Sequence, residues 1–250
     1  MSSTFITNIA DFALQNNLDD AEILVAINSN SLCDVTYVQK LEALVGVDIT
    51  PYMPVLNSGR IDKGAKGKTL EILIGLLNNS SHEPDTLEGE IKSFSLRRTK
   101  DGVLIPKESI ALTMLNPANI QLSLDEVTGE LVYNFVDSYV YNKMKKTIYC
   151  GFEIVNNQNI LRSVDVVDMS EPAFEEFMSD LQLDWILLCE KIANSEALHA
   201  RYGTLLQTRT KGAGRGAPKT RAFYWRRTTV IEILRLARAN EPLTDIIQHD

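Results

Sequence analysis

The residues with the most chemical reach in the first half of this 250-residue chain are acids and a lysine in a fixed order: Glu71, then Pro84-Asp85, then Glu90-Ile91-Lys92. Residues two apart on a strand project from one face, so Glu90 and Lys92 point together and Asp85 stands at the strand entrance. Clustered carboxylate oxygens suit a hard divalent cation. Mg2+ prefers such donors and keeps several waters, which fits attack of water on phosphorus, and a neighbouring ammonium can orient that water or hold charge on the phosphoryl oxygens. Glu71 falls among Leu70, Leu73 and Ile74, where an unpartnered carboxylate is costly. The competing readings are a salt-bridged, half-exposed strand for Glu90 and Lys92, whose face Phe94 shares, and an exposed helical acid for Glu71.

The elements that must position these groups follow from periodicity. Residues 1–50 read as helical, with Ile9, Phe12 and Ala13, then Ile23, Leu24 and Ile27, then Val38, Leu41 and Leu44 at helical spacing, closed by Pro51 and Pro54. A further helix is expected from about Gly67 to Asn78. The period then changes to that of strands at 88–96, a hairpin turn at Lys100-Asp101-Gly102, and strands at 110–115, 131–135 and 147–155. A helix is expected over 137–146. The longest helical pattern begins after Ser170 as N-cap with Pro172 just inside, and carries Phe174, Phe177, Leu181, Trp185, Leu188 and Ile192. Residues 207–220 read as an irregular basic loop, 223–225 as an aromatic strand and 229–238 as a last helix. This predicts a mixed α/β architecture, with 1–55 an N-terminal helical extension to a domain over 56–250.

Charge is unevenly spread. The net charge is −8, yet between Arg201 and Arg238 ten basic residues stand against one acid, Glu232. An acidic body with one basic segment can still meet a polyanion there, because screening confines attraction to about 8 Å at physiological salt. Gly67-Lys68-Thr69 resembles the end of a phosphate-binding loop, but the leading glycine would have to be residue 62, which is Asp. Cys33, Cys150 and Cys189 form no CxxC pair, which points to a reducing compartment and no disulfide framework. The start lacks a signal-peptide pattern, so a cytoplasmic location without a membrane span is expected.

Taken together, Lys63-Gly64-x-x-Gly67-x-x-Leu70-Glu71, Pro84-Asp85 and Gly89-Glu90-Ile91-Lys92 resemble the core of the MutH-type mismatch-repair endonuclease and its GATC-cutting type II restriction relatives. Downstream, Asn142-Lys143-Met144-Lys145-Lys146-Thr147, Asp184-Trp185, Ala200-Arg201-Tyr202-Gly203, and Arg221-Ala222-Phe223-Tyr224-Trp225-Arg226-Arg227 continue the resemblance over about residues 60–235. It implies a PD-(D/E)xK, restriction-endonuclease-like α/β core with a mixed central sheet flanked by helices. It also implies Asp85, Glu90 and Glu71 as ligands of Mg2+, Lys92 as catalytic lysine and Lys143 as a second lysine near the scissile phosphate. Arg209, Thr210, Lys211 and Tyr224 would read bases, while Lys63, Lys66, Arg215, Lys219, Arg226 and Arg227 would hold phosphates.

The partner is then double-stranded DNA, with a companion DNA methyltransferase in the same system. The chain departs from the repair members in the short Asp85-to-Glu90 gap, in Thr210 where they carry proline, and in the glycine-rich stretch at 212–219. The expected function is therefore a Mg2+-dependent restriction endonuclease acting at GATC or a related short site. A methyl-directed repair nickase and a catalytically lapsed DNA-binding module are the alternatives. The sequence carries no mark of oligomeric state.

Overall fold

A computed structural model describes residues 36–53, 64–76, 84–211 and 220–239. Lys63, Arg215 and Lys219 lie outside the described residues, as do the helices expected before residue 36. The chain divides into two compact units, one of Met1–Arg97 with Ile148–Val166 and one of Arg98–Thr147 with Val167–Asp250.

In the first unit, strands β1 (Glu90–Arg98), β6 (Lys146–Val155) and β7 (Gln158–Asp168) are adjacent in the order β1-β6-β7. Phe94 meets Tyr149 edge to face at 6.3 Å, and Leu96 lies against Gly151, so numbering rises together along β1 and β6 and the two run parallel. By contrast, β6 and β7 form a hairpin whose two-residue turn, Asn156-Asn157, has φ of 50° and 66°. The sheet is therefore mixed. Its central strand is buried from Thr147 to Glu153, as a strand covered on both faces must be.

Helices α1 (Tyr37–Glu42) and α2 (Ala65–Leu73) belong to this unit. Leu41, Leu44, Ile49 and Met53 share one core with Leu70, Leu73, Ile74, Ile91, Ile148, Cys150 and Phe152. Residues 36–53, read from sequence as part of an extension, are thus built into the packing around the sheet. The segment Gly46–Ile49 covers the β7 edge through Gly46 N–H to Leu161 O (2.8 Å) and Ile49 N–H to Asn159 O (3.0 Å). Helix α2 closes at Leu73 rather than near Asn78, because Leu76 N–H turns back to Glu71 O at 2.7 Å.

The second unit holds β2 (Leu104–Pro106), an antiparallel sheet in the order β3-β9-β8, and the small β4–β5 pair (Ser123–Leu124 with Leu131–Val132). The larger sheet consists of β3 (Ile110–Met114), β8 (Leu206–Lys211) and β9 (Thr220–Trp225). Its helices are α3 (Tyr139–Met144), α4 (Glu175–Ala193) and α5 (Arg227–Ala237). Its core is aromatic: the Trp185 ring stands 5.5 Å from both Phe135 and Phe223, and Phe177 stands 6.3 Å from Trp225.

Ser170 does not cap α4. Its hydroxyl and amide both bond Asp168 Oδ1, and a 3-10 turn at Pro172–Phe174 precedes the helix. Residues 206–211 are a strand and not a loop, because β9 satisfies their backbone groups residue for residue from Leu206–Trp225 to Lys211–Thr220. Cys150 and Cys189 are free thiols, both buried; burial pushes the Cys189 thiol up to about 12. Among the described residues no helix is long and apolar enough to cross a membrane.

Candidate active site and nucleic-acid interface

Four of the expected catalytic side chains meet in the first unit. Asp85 is fixed at the entrance of β1, where its Oδ2 accepts from Ile91 N–H at 2.9 Å. Glu90 is the first residue of β1 and only 3% exposed. Lys92, on the same strand face, donates its ammonium to Glu90 Oε1.

Glu71, half-buried on the last turns of α2, has its carboxyl held above the usual carboxylate range, first by burial and then by the charges of Asp85 and Glu90; Lys92 and Lys68 act in the opposite sense. Three acids therefore share one electrostatic neighbourhood with Lys92 and Lys68. Among the described residues no three His, Cys, Asp or Glu side chains converge tightly enough to hold an ion by themselves. Mg2+, which binds through one or two carboxylates and retains waters, needs no such cage, and the hard oxygen donors fit it.

Lys66 has a different setting from the one expected. Its ammonium donates to Ser95 Oγ at 2.6 Å and lies 5.8 Å from the Phe152 ring, which turns it onto the sheet. Lys143 belongs to the second unit, half-buried in the last turn of α3.

In the second unit, strand alternation sorts the expected base-reading residues. Leu206 pairs with Trp225 and Thr208 with Phe223, so these face the aromatic core. Gln207, Arg209 and Lys211 consequently face the other way, together with Tyr224, which pairs with Gln207. The Arg209 guanidinium lies 5.7 Å from the Tyr224 ring centroid, a cation–π contact that restricts where it points. Gln207 is anchored by Nε2 donating to Ser109 Oγ at 3.1 Å. Thr210 falls on the opposite face from Arg209, with its hydroxyl 3.5 Å from Arg221 Nη1.

Arg226 is engaged with backbone. Its Nη2 donates to Ala200 O (2.7 Å), Gly203 O (2.7 Å) and Tyr202 O (3.1 Å). Arg227 differs: among the described residues its Nη1 is buried without a hydrogen-bond partner.

Asp184, singled out in the sequence only as part of a motif resemblance, has a local role that the motif did not show: it anchors the start of β8. Asp184, 5% exposed on α4, accepts from Thr204 N–H (2.8 Å), Leu205 N–H (2.6 Å) and Leu206 N–H (2.8 Å). Gly203 has φ +75°, and a Cβ there would stand 2.1 Å from Leu206 O and 3.1 Å from Asp184 Oδ2, so only glycine fits. The available signal was an acid on the apolar stripe of Leu181, Trp185 and Leu188.

Comparison with known proteins bears on the first of these two regions most directly. The model of the MvaI/BcnI restriction endonuclease family matches residues 41–144. That span contains Glu71, Asp85, Glu90, Lys92 and Lys143. Among solved structures, a restriction endonuclease MvaI–cognate DNA substrate complex is similar over 80% of this chain and 96% of that chain, at 15% identity and a TM-score of 0.35. No curated protein matches.

Proposed function

We propose that this protein is a Mg2+-dependent, site-specific DNA endonuclease of the type II restriction class. One observation carries the reading: Glu71, Asp85 and Glu90 crowd their charges around Lys92, inside the span matched by a restriction-endonuclease family. Asp85, Glu90 and Glu71 are the candidate ligands; Mg2+ would bind through one or two of these carboxylates and retained waters, and its charge would offset the acids that, after burial, raise the proton affinity of Glu71.

When bound, Mg2+ supplies charge neutralisation for the attacked phosphate and for the water that attacks it. Lys92, whose ammonium pairs with Glu90, would orient the water and hold charge developing on the phosphoryl oxygens. Lys143 stays a candidate second lysine on the motif resemblance alone. Asp85 is held by Ile91 N–H, so it reorganises little as the reaction proceeds.

Sequence would be read from the exposed face of β8. Arg209 and Lys211 are two residues apart, about 7 Å on a strand, close to two base-pair steps of about 3.4 Å each. Both suit guanine O6 and N7, with Tyr224 beside them. Arg227 remains a phosphate-contact candidate on sequence grounds. Thr210, on the other face, is a base-reading candidate on sequence grounds alone. Lys66 and Arg226 serve by holding the sheet and the loop before β8, while Lys63, Arg215 and Lys219 remain phosphate-contact candidates on sequence grounds.

GATC as the target rests on the motif resemblance alone, since the matched family model is that of MvaI/BcnI. A companion DNA methyltransferase and a cytoplasmic setting belong to this proposal. The test is direct. Incubation with Mg2+ and plasmids whose GATC sites are unmethylated, hemimethylated or fully adenine-methylated, with the ends mapped, should give double-strand cuts at one short sequence and protection by methylation. Cuts at another short site would correct the target. Nicking of one strand only would favour the repair-type nickase, and no cutting on any substrate, with Mn2+ as well, would leave a DNA-binding module.

A further inference from the structure

Only four residues, Thr86-Leu87-Glu88-Gly89, separate Asp85 from Glu90. Thr86 pins this turn from inside: its hydroxyl accepts from Glu88 N–H and Gly89 N–H (3.1 Å each) and donates to Gly89 O (2.9 Å). Gly89 has φ +137°, open to glycine and strained for other residues, which lets the chain enter β1 directly at Glu90.

Glu88 faces away from the acids it sits between. Its Oε1 accepts from Tyr37 N–H and its Oε2 from Val38 N–H, both at 3.0 Å, so its two oxygens are engaged by the first turn of α1. Thr36 Oγ1 accepts the next amide, Gln39 N–H, at 3.2 Å, while Gln39 Oε1 returns to Thr36 N–H at 3.0 Å. Three donors of that turn are thus matched by one distant carboxylate and one local cap. Farther along α1, Lys40 Nζ donates to Ile74 O at 3.3 Å, on the residue that ends α2. Leu41 and Leu44 share a core with Leu70, Ile74 and Ile91. One short helix is thereby attached both to the turn carrying Asp85 and Glu90 and to the helix carrying Glu71.

We propose that Glu88 is a positioning residue and α1 a brace that fixes the Asp85–Glu90 turn relative to Glu71, so that three mutually repelling carboxylates stay gathered before a cation binds. Without a tether, their repulsion would be relieved by the turn swinging away from α2. The inference rests on the metal-site reading given above. It assigns a role to residues 36–44 that their sequence did not disclose.

Glu88→Gln, which keeps the shape but offers one acceptor, and Glu88→Ala, which offers none, test it in the full chain. Mn2+ alone is titrated into each protein and the free ion followed by electron paramagnetic resonance. Cleavage is measured as kcat, KM and half-saturating Mg2+, and target-DNA affinity without metal; circular dichroism checks folding. Mn2+ affinity should fall about 10- to 100-fold, as for outer partners of metal ligands, in the order wild type, Gln, Ala. Half-saturating Mg2+ should rise by the same factor while metal-free DNA affinity is unchanged. Wild-type Mn2+ affinity in a folded Glu88→Ala protein, or metal and DNA affinity lost in step, would overturn the brace. A wild type that binds Mn2+, responds to Glu88 substitution and cuts no DNA would overturn the endonuclease reading and leave the brace standing; a wild type that binds no Mn2+ removes both.

Discussion

At the residue scale the balance around Glu71 decides what its substitutions do. Its proton affinity is raised in the folded chain, so the native state binds more protons than the unfolded one and stability is lost as pH rises through the folded value. Glu71→Gln should therefore match wild-type thermal stability in acid and exceed it at neutral and alkaline pH without metal, while cleavage collapses; melts at several pH values compared with activity check this. Equal melting temperatures at every pH would show that burial and the neighbouring acids do not raise its proton affinity.

Lys92 touches Glu90 and is mostly buried, so Lys92→Ala removes both an ion pair and the cation for the phosphate. Its cleavage rate should drop by about 10²–10³ or more, with target binding in the absence of Mg2+ retained by mobility-shift assay. Arg209 stacks on Tyr224 and presents outward. Arg209→Ala should cost about 1–3 kcal/mol of discrimination between the target and a single-base mismatch, read from paired binding isotherms; a uniform loss on both DNAs would reassign it to phosphate.

At the element scale, the informative case is β8. Composition made 207–220 read as a loop because glycines and charges dominate it, yet its first residues are a strand through pairing with β9. Pairing partners on two separate strands are not written in either segment alone. The start of β8 is fixed by Asp184 collecting three amides and Arg226 collecting three carbonyls of the same loop. A buried carboxylate removed from three donors leaves each of them unsatisfied at about 1–3 kcal/mol. Asp184→Ala should therefore destabilise the protein by about 3 kcal/mol or more, and Asp184→Asn by less, as measured by urea unfolding. Base discrimination should fall in both, because Gln207, Arg209 and Lys211 follow directly from the anchored residues. Unaltered unfolding in Asp184→Ala would show that the loop has other support.

At the scale of the whole molecule, net charge and charge distribution lead to opposite expectations, and the distribution governs. Binding through a basic segment of +9 on a chain of −8 should show a steep salt dependence, a log–log slope of about −4 or steeper. Measuring Kd across a NaCl series settles it, and a flat slope would argue against phosphate contacts altogether.

The sequence by itself determined the chemistry on offer: Glu90 and Lys92 share a face because a strand repeats every two residues, and Glu71 was legible as an acid on an apolar helix. Short-range periodicity carries that much information. Which acid ligates and which braces was decided only by tertiary structure. Glu88 lies two residues from Glu90, yet it is turned to amides 50 and 51 positions away, and Asp184 answers amides 20 to 22 positions on. Such partners are brought together by burial of the shared cores, a long-range effect that no local pattern encodes.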